Sequence, residues 1–222
     1  MLRILQDIDE AALLLVNGWH STFTDEMWWL VSLKWSWTLI FMALGWVLLH
    51  KNRLQALLII AMVVLAVVLA DQISSSLIKG MVERLRPTHD PSLADAVRTV
   101  NDYRGGMYGF VSSHAANSFA GAMLLTLLTR HRLITWALFG WAVLQCYSRV
   151  YLGVHYPGDI LGGIVVGMLV GWGVWALWNV LRRHWRMPAR PFTASDARVM
   201  AASVPITMLI IIIVAAIAVM QA

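Results

Sequence analysis

Three short stretches of this chain hold residues whose types and spacing could do chemistry. Lys79-Gly80-Met81-Val82-Glu83-Arg84-Leu85-Arg86-Pro87 is the first, and Ser112-Ser113-His114 is the second. Ser148-Arg149, His155 and Asp159 make the third. Lys79, Arg86 and Arg149 are multi-donor cations, as a phosphate or diphosphate requires, and Arg can grip two phosphate oxygens at once. His114 and His155 offer a nucleophile and a proton carrier near neutral pH. Asp159 follows His155 by four residues. If Pro157 sits in the first turn of a helix, as Pro often does, His155 lies just before that helix. The carboxylate then reaches back to the imidazole Nδ1–H. That bond fixes the tautomer and leaves Nε2 free to attack. The implied reaction is phosphoryl transfer to histidine followed by hydrolysis, with the cations neutralising the equatorial oxygens of the transition state. Ser112 and the amides near Ser113 add hydrogen bonds at a helix N-terminus, which favours anions.

The elements that must position these residues belong to a membrane. The chain has 222 residues, of which 59% are hydrophobic and 13% charged, with a mean hydropathy of +0.69. A soluble domain carries about 25% charged residues. That disfavours a soluble enzyme, a disordered chain and a secreted disulfide scaffold. Cys146 is the one cysteine, so no intrachain disulfide forms, and no Cys/His cluster suggests zinc. Many of the twelve Trp lie at the ends of apolar runs, as interfacial anchors do.

A bilayer core takes about 20 apolar residues per helix. Met27–Leu49, Leu54–Ile78, Ile160–Leu181 and Val204–Met220 read as spans, and Ala115–Leu128 and Leu133–Tyr147 as two more around a basic turn. The expected fold class is all-α, a polytopic membrane protein with six transmembrane helices and an N-terminal amphipathic helix over Met1–Gly18. It forms a single membrane-embedded domain over 1–222, with active-site loops 79–114 and 148–159. One side collects nine basic residues against one acidic, among them Lys51, Arg53, Arg130, Arg132, Arg186 and Arg190. The other side, which holds the three motif stretches, has seven basic against ten acidic. The positive-inside rule then places both termini and the motif loops outside, on the periplasmic face of a bacterial cytoplasmic (inner) membrane. Lys34 and Asp71 fall within the first two spans, where they either pair or snorkel separately. Arg84, Arg98 and Arg104 read as interfacial anchors. The segment from Tyr103 to Gly109 reads as a flap over the site or an ordinary Gly-rich turn. The glycines from Gly162 to Gly173 give a small-residue spacing that suits close helix packing.

Lys-x6-Arg-Pro, Ser-x-His and Ser-Arg-x5-His-x3-Asp, in this order, resemble the three signature motifs of the type 2 phosphatidic acid phosphatase superfamily. Those are integral membrane lipid phosphatases with six helices, related in active site to vanadium haloperoxidases. The motif region covers about a third of the chain. The second motif departs from the family's Pro-Ser-Gly-His, since Val111, Ser112, Ser113 and His114 stand there. The resemblance implies that Lys79, Arg86, Ser112, Ser113 and Arg149 bind phosphate. It implies that His114 is the general acid–base, His155 the nucleophile and Asp159 its partner, with no metal or other cofactor. The expected activity is a lipid phosphate or diphosphate phosphatase at the outer leaflet, with undecaprenyl diphosphate first among bacterial substrates. Phosphatidylglycerol phosphate, phosphatidic acid and lipid A phosphate are alternatives. A lipid phosphotransferase and a non-enzymatic phospholipid binder or transporter are rival readings. The expected partners are the lipid substrate and the bilayer, without nucleic acid.

Overall fold

The computed structural model describes residues 2–49, 53–185 and 192–221. Lys51, Arg186 and Arg190 of the expected basic side lie outside the described residues. Helix α1 is Leu2–Gly18, α2 Thr22–Ser32 and α3 Thr38–Leu49. Helix α4, Arg53–Asp71, runs on through a π-helical stretch, Gln72–Ile78, into the short α5, Lys79–Val82. Helices α6 (Ser113–Thr129), α7 (Arg132–Tyr151), α8 (Pro157–His184) and α9 (Ala194–Gln221) complete the bundle. Among the described residues, β-pairing is limited to one isolated bridge, Leu85 to Tyr108.

Helix α6 is the centre, packed most extensively on α8 and then on α4 and α7. The sequence explains its closeness to α8. A Cβ on Gly163, Gly167 or Gly171 would lie 2.4, 2.4 or 2.6 Å from the carbonyl oxygens of Ser112, Ala116 and Ala120. Four-residue spacing puts these glycines on one helix face, and small residues let two backbones approach. The small-residue spacing seen in the sequence is therefore a packing seam, and it starts at the second motif.

The expected span Met27–Leu49 is two helices bent by 70°. Leu33 leaves the helix in extended backbone between them. The break survives because side chains take over its carbonyls. Trp37 Nε1 and Gln145 Nε2 both donate to the Val31 oxygen, at 2.8 and 2.7 Å, and Arg149 Nη2 donates to the Ser32 oxygen at 3.2 Å. Two of these three donors come from α7, which sequence periodicity does not reveal.

Three helical stretches are long and apolar enough to cross a membrane: Leu54–Val82, Pro157–His184 and Ala194–Gln221. The bent pair makes a fourth if it counts as one span. On length and composition, three or four of the six expected spans qualify. Helix α6 has only 17 residues, and α7 carries Arg132, Gln145 and Arg149. Helix α6 is mostly buried, and in α7 the polar Gln145 and Arg149 are buried with partners on the broken first span. Leu161, Val165, Leu169 and Trp172 of α8 and Leu209, Ile210 and Ile213 of α9 are exposed, as lipid-facing residues would be. The chain order puts the motif residues at one end of α6, α7 and α8, and Arg130, Arg132, Arg182 and Arg183 at the other.

Helix α1 is tied to the bundle. Buried Asn17 donates to the carbonyls of Arg98 and Tyr151 at 2.9 and 2.8 Å, and its oxygen accepts from the Arg98 amide at 2.8 Å. Arg98 itself holds Asp25 through two bonds of 2.8 Å, a structural clamp where the sequence suggested an interfacial anchor. Lys34 and Asp71 do not pair. Lys34 lies 5.1 Å over the Trp35 ring, while Asp71 accepts from Ser75 and Asn117.

The glycine seam yields a stability test. Gly167→Leu should destabilise the protein by about 1–3 kcal/mol, the usual cost of overpacking, measured as thermal unfolding in detergent. Gly173→Leu, where a Cβ meets nothing within 4 Å, should leave the transition in place.

Candidate active site

The three motif stretches converge. Pro157 opens α8, with Tyr156 as its N-cap residue. His155 therefore stands just ahead of the helix, as the spacing predicts. His155 Nδ1 bonds Asp159 Oδ2 at 3.2 Å, and the Tyr156 amide donates to the same oxygen at 3.1 Å. Both His155 and Asp159 are fully buried. Since Oδ2 is a carboxylate acceptor, Nδ1 carries the imidazole proton and Nε2 keeps its lone pair. That Nε2 is buried and has no hydrogen-bond partner.

The cations are fixed by backbone and hydroxyl acceptors. Arg86 Nε donates to the Tyr108 carbonyl at 3.2 Å, and its Nη1 to the Val154 carbonyl at 3.3 Å, which ties the first motif to the residue before His155. Lys79 Nζ donates to Ser113 Oγ at 2.9 Å, and that hydroxyl also bonds Ser75 Oγ at 2.7 Å. Ser75 lies in the π-helical stretch, and such stretches recur at functional sites because they re-aim the residues that follow. Arg149 is buried, and its Nη2 lies 2.8 Å from His114 Nε2. Arginine only donates, so His114 Nε2 is the acceptor there and its proton sits on Nδ1. Arg149 Nε is buried without a partner. His114 is exposed at the edge of the site.

Burial, followed by the charges of Arg86, Lys79 and Arg149, holds His155 well below the ordinary histidine value. The imidazole is thus neutral at pH 7. Burial also weighs against the charge on Arg86, opposed by Tyr103 and Asp159.

The second motif meets the third through the backbone. The Ser112 amide donates to the Asp159 carbonyl at 2.9 Å, and Ser112 is the N-cap of α6, its hydroxyl accepting from the Ala115 amide at 3.5 Å. The Ser112 amide is therefore already used, and its hydroxyl proton is the donor left over. Ser113 offers its side chain to Lys79, an arrangement that a glycine in its place would lack.

The stretch from Tyr103 to Gly109 is a wall stitched to the first motif. The Arg86 amide donates to the Met107 carbonyl at 2.9 Å, and the Gly109 amide to the Arg84 carbonyl at 2.8 Å. Thr88 Oγ1 donates to the Arg104 carbonyl at 2.7 Å. Gly105 has φ +68°, and a Cβ there would lie 2.6 Å from Arg86 Nη1. A Cβ on Gly109 would lie 2.7 Å from Asp159 Oδ2. Arg149 lies 5.8 Å over the Tyr103 ring.

Sequence reasoning missed two residues here. Arg84 Nη1 donates to Asp159 Oδ1 at 3.1 Å, and its Nη2 to Asp9 Oδ2 at 2.8 Å. The reading of Arg84 as an interfacial anchor is corrected by these contacts. Asp9 sits on α1, far away in sequence, and nothing in the spacing links it to the motifs. The one available signal was the acidic cluster Asp7, Asp9 and Glu10 on an amphipathic helix.

The family model described as PAP2 superfamily matches residues 56–183, more than half of the chain. The lipid A 4'-phosphatase of Porphyromonas gingivalis is 36% identical over 194 residues, which is 86% of this chain and 82% of that protein. The lipid A 4'-phosphatase of Bacteroides thetaiotaomicron is 38% identical over 174 residues, 78% of this chain and 77% of that one. In fold, the chain resembles the crystal structure of the PAP2-type phosphatidylglycerolphosphate phosphatase from Bacillus subtilis. The TM-score is 0.59 at 22% identity, covering 81% of this chain and 89% of the other.

The neutral His155 has a pH consequence. Unfolded, it titrates near the ordinary value of about 6.5; folded, it titrates well below. The unfolded state binds more protons in the window between, so stability falls as pH drops below about 6.5. The melting temperature of the wild type should therefore fall more steeply on acidification than that of His155→Gln. Equal slopes would contradict a buried neutral imidazole.

Proposed function

Because the chain belongs to the PAP2 superfamily and is a membrane lipid phosphatase, we propose that it removes a phosphate monoester from lipid A through a phosphohistidine at His155. The substrate assignment rests on the two relatives above, both named lipid A 4'-phosphatases and each sharing over three quarters of its length with this chain. Lipid A was an alternative in the sequence reading and takes the place of undecaprenyl diphosphate, the first expectation there.

The observation that carries the mechanism is a pair of orphaned buried atoms, His155 Nε2 and Arg149 Nε. One is a lone pair and the other an N–H donor. A phosphoryl group satisfies both, with its phosphorus facing the imidazole and an oxygen accepting from the guanidinium. Lys79 and Arg86 neutralise the remaining oxygens, with the Ser112 and Ser113 hydroxyls beside them. His155 Nε2 attacks phosphorus, and the bond to the lipid oxygen breaks. Asp159 stabilises the imidazolium character that develops. The phosphate draws Arg149 onto itself and so frees His114 Nε2. The exposed His114 then takes a proton from solvent and gives it to the leaving oxygen. It next accepts a proton from the water that hydrolyses the phosphohistidine. The cations supply the positive charge, so the reaction needs no metal.

The chain acts as one membrane-embedded domain. Helices α6 and α7 complete a six-span bundle with the more apolar helices, and α1 lies at the interface with Ile4, Leu5 and Ile8 exposed to lipid. The basic residues at the far end of the bundle support a cytoplasmic membrane location with the site on the outer face.

Phosphate release from purified lipids in detergent tests the proposal. Lipid A should be turned over faster than undecaprenyl diphosphate, phosphatidylglycerol phosphate or phosphatidic acid. His155→Ala and Arg149→Ala should abolish release, and His114→Ala should slow it by about 10²–10⁴-fold, the range of acid–base contributions. Activity should survive EDTA and yield to vanadate, which mimics pentacoordinate phosphorus. Preference for a different lipid would overturn the substrate, and loss on chelation would overturn the metal-free chemistry.

A further inference from the structure

The two carboxylate oxygens of Asp159 do different things. Oδ2 serves His155 and the Tyr156 amide. Oδ1 faces Arg84 at 3.1 Å. Arg84 is held on three sides: by Asp159, by Asp9 at 2.8 Å, and by the Tyr156 ring, which lies 3.9 Å from its guanidinium carbon. Asp9 is anchored in turn, because its Oδ1 accepts from the Gly158 amide at 2.6 Å. A Cβ on Gly158 would lie 2.7 Å from Asp9 Oδ2, so the glycine leaves room for the carboxylate. The result is an unbroken chain of charge-assisted bonds, from α1 through the loop after α5 to the first turn of α8. None of its outer members touches the reacting atoms.

From this geometry we infer that Asp9 and Arg84 are positioning residues for the His155–Asp159 pair, and that α1 is thereby a working part of the active site. The inference rests on His155 as nucleophile. The physical reason is the charge that passes onto the imidazole during the reaction. When Nε2 bonds to phosphorus, the ring becomes cationic and Nδ1–H becomes a stronger acid. Asp159 must hold that proton's hydrogen bond without removing the proton. A cation on its other oxygen draws electron density away from Oδ2 and lowers its basicity, so the proton stays on Nδ1. Arg84 also fixes the carboxylate plane, which otherwise could turn Oδ2 away from the ring. Asp9 offsets the charge of Arg84 and orients its fork, since a bidentate bridge of this kind suits Arg and not Lys.

The other charged groups near this chain do not substitute for it. Lys79 and Arg86 also act on Asp159, but both stand among the groups that face phosphate. Glu10 acts on Tyr156, whose hydroxyl bonds Asp90 at 3.3 Å, away from the Asp159 carboxylate.

The test compares wild type, His155→Ala, Arg84→Ala, Arg84→Lys, Asp9→Ala and the Asp9→Ala/Arg84→Ala double variant, as full-length protein in detergent on one lipid substrate. Arg84→Ala should lower kcat about 10–100-fold, the scale on which removing the hydrogen-bond partner that orients a metal-ligating histidine or carboxylate acts. KM should hardly change, because Arg84 does not touch substrate. The acid limb of the kcat profile should move to higher pH, since Asp159 loses a facing cation. Arg84→Lys should recover part of kcat. The double variant should be no slower than Arg84→Ala, because Asp9 acts through Arg84. A His155→Ala protein that still turns over would overturn both the nucleophile and this inference. If His155→Ala is inactive while Arg84→Ala keeps wild-type kcat, only this inference falls. It falls also if Arg84→Ala merely lowers thermal stability and leaves the pH profile and the KM-to-kcat split unchanged.

Discussion

Three cations crowd one imidazole in this protein, and their mutual repulsion is the constraint around which the site is built. Lys79, Arg86 and Arg149 come from three stretches of chain, and each is partly or wholly removed from water. Such a cluster is unfavourable until acceptors fix it. The acceptors come from distant stretches of chain and are mostly backbone: Tyr108 and Val154 carbonyls for Arg86, the Ser32 carbonyl for Arg149, and the Ser113 hydroxyl for Lys79. The close α6–α8 seam sets where the second and third motifs meet, and the broken helix at Leu33 presents the carbonyl that Arg149 uses. The bend in the first apolar run and the charge of the site are therefore one arrangement.

That arrangement explains what was legible in the sequence and what was not. The His155–Asp159 geometry followed from Pro157 and a spacing of four, because a helix start fixes where neighbouring side chains point. Convergence of the motifs followed from the order of the helices. The glycine seam followed from its four-residue period. The bend at Leu33 did not follow, since Met27–Leu49 is continuously apolar and the bend depends on Gln145 and Arg149, over a hundred residues away. Arg84 and Arg98 looked like ordinary span-exit cations. Their acidic partners, Asp9 and Asp25, lie on the first two helices, and only the tertiary fold brings them together. Six spans were read where three or four stretches qualify, because α6 has only 17 residues and α7 carries Arg132, Gln145 and Arg149.

A lipid phosphatase must admit a long apolar tail and a dianionic headgroup together. The helices α8 and α9 present apolar residues outward, and the cation cluster lies at one end of the bundle. A histidine buried among cations resists protonation, so burial and the neighbouring charges together keep the His155 imidazole neutral.

The most direct measurement is rapid acid-free quenching of the His114→Ala protein with lipid substrate, followed by peptide mass spectrometry. Slower acid–base chemistry should leave phosphate on the peptide that contains His155, stable to alkali and lost in acid, and absent from His155→Ala. Phosphate on another residue would contradict the account, as would turnover by His155→Ala.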